Sequence, residues 1–141
     1  MFGSIISAIK FRERPVKLGK IKHDKVIGAK SEVGWNLDFN LAVIIRDYLR
    51  MFAKETYAHG NSVWTEEERE KAREMSKEEY AKLDELKFKE WQDKVNGIAD
   101  KFNVVVKDIE NETCDITSEQ KQKDIDIAFD ELKKIYQELW Y

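Results

Sequence analysis

Residues 77–110 read KEEYAKLDELKFKEWQDKVNGIADKFNVVVKDIE, and this stretch decides the fold. Tyr80, Leu83, Phe88, Trp91, Val95, Ile98, Phe102, Val105, Val106 and Ile109 recur mostly at intervals of three and four, the period of one helical face. Val104-Val105-Val106 has the β-branched composition of a strand, but the apolar spacing passes through it without a change of phase. The periodicity predicts a single helix over 77–110; a helix to 102 followed by a strand is the alternative. Gly97 is a soft spot within it, costing about 1 kcal/mol relative to alanine.

Upstream, two capping boxes precede this stripe. Ser76-Lys77-Glu78-Glu79 starts the long helix, and Thr65-Glu66-Glu67-Glu68 starts a shorter one. The shorter helix, expected over 65–75, is almost wholly polar through Arg73. With no apolar face it belongs on the surface, and the three acids in its first turn suit the helix dipole. Further upstream, Leu41, Ile44, Ile45, Tyr48, Leu49 and Phe52 form another stripe. It predicts a helix over 37–58, with Asn36 or Asp38 as N-cap and Gly60 available for a left-handed C-terminal cap. His59, next to that glycine, reads as a cap rather than a base.

Downstream, 111–115 is a connector and Thr117-Ser118-Glu119-Gln120 a third capping signal. Ile125, Ala128, Phe129, Leu132, Ile135, Tyr136 and Leu139 complete a stripe over 118–140. The chain ends Trp140-Tyr141, and an aromatic terminus is expected to pack on the body or in an oligomer interface. Three striped helices of this length close one core. The expected fold is an all-α antiparallel bundle of three long helices plus a short polar helix, spanning 35–141, behind a basic and partly irregular arm over 1–34.

The arm is set apart by charge. Residues 1–30 carry eight Lys or Arg against Glu13 and Asp24, a net of +6 in a chain of −3, which leaves −9 for the remainder. Phe2, Ile5, Ile6 and Ile9 have the spacing of a short helix that docks on the bundle or meets a membrane surface. Around His23-Asp24 the sequence is compatible with a small hairpin or a loop.

Composition agrees with the helical reading and removes several function classes. The 141 residues include one proline, six glycines and sixteen aromatics, four of them Trp. That is a folded, helix-rich composition rather than a disordered or turn-rich one. The single cysteine, Cys114, excludes an internal disulfide and a cysteine-cage zinc site. There is no run of 18 apolar residues, so no transmembrane helix is expected, and the composition reads as soluble and intracellular. No glycine-rich phosphate loop and no Glu-x-x-His pair is present, and no cofactor is expected. Nucleic acid is not the expected ligand, because the acidic body would repel it and the basic arm lacks interleaved aromatics.

The sharpest enzymatic pattern is acidic. Glu66-Glu67-x-x-Glu70 is followed by Glu90-x-x-Asp93, which resembles the metal-binding motifs of MazG-type all-α nucleotide pyrophosphohydrolases. That resemblance implies magnesium held by Glu66, Glu67, Glu70, Glu90 and Asp93 against a triphosphate. A solvated acidic face is the competing reading. A second resemblance lies in Trp35-Asn36-Leu37-Asp38, Leu41-Ala42, Ile44-Ile45, Leu49 and Phe52, then Trp91 through Phe102, then Phe129, Tyr136, Leu139 and Trp140. These residues resemble a family of small tailed-phage accessory proteins without a catalytic signature. The resemblance covers 35–141 and implies a product acting in the bacterial host cytoplasm. It implies a non-enzymatic protein that inhibits a host or antiviral-defence factor, by binding a protein or sequestering a nucleotide-type small molecule. Self-association stays open.

The working surface is expected around Gly60–Trp64, the polar helix and the arm. Asn61 and Trp64 put an amide beside an aromatic, suited to a base or a peptide. Glu66 and Glu67 supply charge next to them, and Lys17, Lys20 and Lys22 supply long-range attraction for an anionic partner. The plainer reading is that Trp64 staples the loop to the bundle.

Overall fold

The computed structural model describes residues 20–28, 36–110 and 117–140. The expected helix within 1–10, Lys17, Trp35, the 111–115 connector with Cys114, and Tyr141 lie outside them. Two short strands, β1 (Lys20–Lys22) and β2 (Lys25–Ile27), are followed by four α-helices. These are α1 (Leu37–Glu55), α2 (Glu66–Glu74), α3 (Lys77–Glu110) and α4 (Ser118–Ile135). Short 3-10 turns occupy Asn61–Val63 and Tyr136–Glu138.

The hairpin takes the first of its two sequence readings. Lys20 pairs with Ile27 and Lys22 with Lys25 across a His23-Asp24 turn. His23 adopts φ 58°, the positive φ that a tight turn needs to match strand twist. Val26 and Ile27 stay exposed, and among the described residues the buried core cluster is built from helices alone.

The all-α bundle is the architecture found. α3 runs unbroken from Lys77 to Glu110, so periodicity prevails over the β-propensity of Val104–Val106. Val105 and Val106 face the core with Trp91, Val95, Ile98 and Phe102. At residues 77–110 α3 is about 51 Å long, almost twice α1. α1 packs against its C-terminal part in antiparallel sense: Gln92 reaches the Ala53 carbonyl, Arg50 reaches Asp100 and Arg46 reaches Asn103. α4 also runs antiparallel to α3, with Phe129 edge-on to Phe102 at 5.2 Å. The first third of α3 extends past the end of α1 and carries α2.

All three capping signals act at helix starts. Thr65 forms the full reciprocal box with Glu68, while Ser76 Oγ accepts from the Glu79 amide at 3.2 Å and Thr117 Oγ1 from the Gln120 amide at 3.1 Å. Several expected boundaries shift. Asn36 occupies the N-cap of α1 but in the left-handed conformation, with no side-chain cap bond; Asp38 is a first-turn acid. α1 ends at Glu55 rather than 58, where Thr56 turns extended and its amide donates to Phe52 O. Gly60 is therefore no left-handed cap: its φ is −71°. Its smallness serves packing instead, since a Cβ there would lie 2.6 Å from Glu138 Oε2 and 2.7 Å from the Trp91 ring. α4 ends at Ile135 and tightens into the 3-10 turn.

α1 and α4 each pack on α3 far more than on each other. A furrow remains between them. One part, about 470 Å³, has Ile44, Tyr48, Leu132 and Trp140 among its walls. Another, about 320 Å³, lies toward the α1 N-terminus between Leu41, Ile125 and Phe129. Leu139 packs on the core, but Trp140 is 65% exposed, so the body does not cover that aromatic.

Among the described residues no helix is long and apolar enough to cross a membrane.

Candidate ligand-binding site

After α1 the chain must turn to reach α2 and still satisfy its polar groups. Thr56 begins the turn, its hydroxyl donating to the Ala58 carbonyl at 2.9 Å. His59 then meets α3, its Nε2 lying 2.6 Å from Asp84 Oδ1. Trp64 Nε1–H donates to His59 Nδ1 at 3.2 Å. An indole N–H can only donate, so Nδ1 is the acceptor and Nε2 carries the hydrogen given to Asp84. Both ring nitrogens are thereby committed. His59 is neither the helix cap expected of it nor a free base, but the link between the connector and α3.

Trp64 stacks on Tyr80 of α3, with centroids 6.3 Å apart and planes at 18°. Lys87 Nζ sits 5.8 Å from the Trp64 ring centroid. This lysine is 4% exposed, and a buried ammonium needs partners. It has three: Glu68 of α2 at 2.5 Å, Glu90 at 3.2 Å and the Val63 carbonyl at 2.9 Å. The Glu68 bond pushes the Lys87 pKa up against the opposing effect of burial. The same bond, with help from the Thr65 amide, holds the Glu68 carboxyl below its usual range. α2 therefore has an anchor despite lacking an apolar face.

The other side of the connector is also held. Glu138 accepts from the Ser62 amide at 2.8 Å and the Ser62 hydroxyl at 2.7 Å, and Lys94 reaches that hydroxyl at 3.1 Å. The Asn61 carbonyl accepts from Arg69 at 3.0 Å. Within this frame lies a cleft of about 310 Å³ lined by His59, Asn61, Trp64, Arg69, Ala72 and Tyr80.

Asn61 and Trp64, expected at the site from sequence, are thus brought together in one cavity. Glu66 and Glu67 are exposed first-turn residues of α2 and do not line it. Lys20 and Lys22 lie on β1, and Lys17 is outside the described residues. The acidic set that resembles a pyrophosphohydrolase does not assemble: among the described residues no three His, Cys, Asp or Glu side chains gather where they could hold a metal ion. Glu90 turns to Lys87 instead.

The sequence places Tyr80 on the apolar stripe but not at the site, and gives Asp84 and Lys87 no role. Yet 80, 84, 87 and 91 are spaced as one helical face, with Asp84 and Lys87 interrupting the apolar line toward Trp91. Two charges on a stripe that runs into the core are a readable sign of polar contacts between elements; Lys87 is buried and Asp84 half-exposed. Arg69 carried no such sign.

No protein-family model, curated protein or solved structure matches the chain.

Proposed function

We propose that this chain is a binding protein rather than an enzyme, and that the cleft beside Trp64 takes a nucleotide-type small molecule. The carrying observation is the stacked Trp64–Tyr80 pair on the wall of a cavity that also holds Asn61 and Arg69. A planar base extends such a stack. The Asn61 amide can read its edge, and the Arg69 guanidinium suits an anionic group. His59, with both nitrogens engaged, shapes the wall and is not poised to move a proton. Lys17, Lys20 and Lys22 of the arm add long-range attraction that weakens with salt. In the setting implied by the tailed-phage resemblance, sequestering such a ligand in the host cytoplasm inhibits a host or antiviral-defence factor. Capture of a host protein by the same surface is the second reading, favoured by the exposed Glu66, Glu67 and Glu70 beside the cleft.

Thermal-shift and tryptophan-fluorescence titration with a panel of nucleotides tests the proposal. The expected result is saturable stabilisation, reaching about 2.7 kcal/mol at a hundredfold excess over Kd. It should be abolished in Trp64→Ala and Arg69→Ala and retained in Trp64→Phe. If no nucleotide shifts the melting temperature, the reading fails. If nucleotides are hydrolysed with magnesium, and Glu70→Gln and Asp93→Asn each stop it, the pyrophosphohydrolase reading replaces it.

A further inference from the structure

We infer, on the nucleotide reading of the Trp64 cleft, that its ligand carries a single phosphate: a nucleoside monophosphate, with di- and triphosphates disfavoured. The placement of positive charge carries this. Among the described residues Arg69 is the one Lys or Arg that lines the cleft. His59 lines it too, but accepts from Trp64 through Nδ1 and so brings no charge. Lys87 lies near the Trp64 ring but is buried and committed to Glu68, Glu90 and the Val63 carbonyl. Lys94 is turned to the Ser62 hydroxyl.

Arg69 is prepared for an anion. α2 holds five glutamates, at 66, 67, 68, 70 and 74, and Glu66 stands three residues before Arg69, within pairing range. Among the described residues Arg69 nevertheless pairs with no carboxylate, and its bond goes to the Asn61 carbonyl at 3.0 Å. That bond fixes the guanidinium at the cleft wall. It uses one of five N–H donors and leaves enough for the two-pronged grip arginine makes on phosphate. An anchor already held in place loses less freedom on binding.

Size and charge oppose a second phosphate. The cleft holds about 310 Å³, at the lower end of small-molecule sites, which leaves little room beyond base, sugar and first phosphate. Outside it α2 is net −2, five acids against three bases over Glu66–Glu74, and Glu66, Glu67, Glu70 and Glu74 are exposed. A phosphate reaching along α2 meets like charge. Arg73, one turn beyond Arg69, does not line the cleft.

Tryptophan-fluorescence titration of the full chain tests this, with the four common ribonucleosides and their 5′-mono-, di- and triphosphates. Magnesium is left out, so that phosphate charge is unmasked, and the salt is about 0.15 M, where long-range attraction from the arm is largely screened. For the base that binds best, the monophosphate should bind at least about tenfold more tightly than the nucleoside and at least about threefold more tightly than the triphosphate. Arg69→Gln should bring the monophosphate down to the nucleoside's affinity and leave the nucleoside within about twofold, since glutamine can still donate to the Asn61 carbonyl. Arg73→Gln should change neither by more than about twofold. A nucleoside that binds as well as its monophosphate, or a di- or triphosphate that binds more tightly, overturns the single-phosphate assignment and leaves the base-binding reading standing. So does an Arg73→Gln loss as large as that of Arg69→Gln. If no member of the series binds, the nucleotide reading fails and the single-phosphate assignment with it.

Discussion

Replacing Gly60 by alanine adds one methyl group where the fold has no room for it. The backbone at Gly60 (φ −71°, ψ 150°) is open to any residue, so conformational strain contributes nothing. The new Cβ would lie 2.7 and 2.9 Å from two ring atoms of Trp91 and 2.6 Å from Glu138 Oε2. Trp91 is fully buried at the centre of the core and held edge-on by Phe52 at 6.5 Å; it cannot give way cheaply. Overpacking of this kind costs about 1–3 kcal/mol. Glu138 can swing aside, but only by releasing its two bonds to Ser62, a further cost of about 1–2 kcal/mol for charge-assisted bonds near the surface. Alanine regains about 0.4–1 kcal/mol by restricting the unfolded chain. The balance is a destabilisation of roughly 2–3 kcal/mol, or about 6–12 °C in melting temperature for a domain of this size. Gly97→Ala is the matched control. A Cβ there meets nothing within 4 Å, and it lies inside α3, so the exchange should stabilise by about 0.5–1 kcal/mol. Urea denaturation and calorimetry of both variants measure the contrast. If Gly60→Ala is as stable as the parent, the close packing of connector, Trp91 and Glu138 is not as described.

Three further outcomes are expected. Lys87→Met removes the cation shared by Glu68, Glu90 and Val63 and should lower the melting temperature by several degrees at neutral pH. Glu68 has a lowered folded pKa, so its contribution is present above the unfolded value of 4.5 and fades as pH falls through the folded value; the variant should lack this part of the acid-side loss. Asp108 is buried with Oδ2 unpartnered. Burial first, and then the Asp124 carboxylate, push its pKa up to about 6 against the pull of Lys121. A raised carboxyl contributes stability below its unfolded pKa of 3.8 and loses it as pH climbs through about 6. Asp108→Asn should therefore raise the melting temperature at about pH 8 and change it little at about pH 4; equal shifts at both would refute the assignment. Deleting residues 1–30 should leave most helicity in place and weaken the capture of an anionic ligand at low salt, as read by titration at two ionic strengths.

Much of the fold is legible because its signals are local. The spacing through 77–110 carries α3 straight across Val104–Val106, and Thr65, Ser76 and Thr117 cap helices whose first residues follow directly. Such features involve neighbours within one or two turns, where backbone geometry leaves few alternatives. The α1 C-terminus is less legible, because a glycine five residues beyond the helix end reads as a cap whether or not the chain has already turned.

At the connector, the sequence alone determined that an aromatic and an amide sit four residues or fewer from each other, ahead of a capped polar helix. Tertiary structure decided what they meet. The His59–Asp84 contact spans 25 residues and the Ser62–Glu138 bonds span 76, and no local period encodes such separations. The same holds for the furrow. Helical periodicity states which face of α1, α3 and α4 is apolar, but not which faces mate. Here α3 takes a helix on each of two sides, and the apolar edges of α1 and α4 that a closed three-helix core would have joined are left facing one another across a gap.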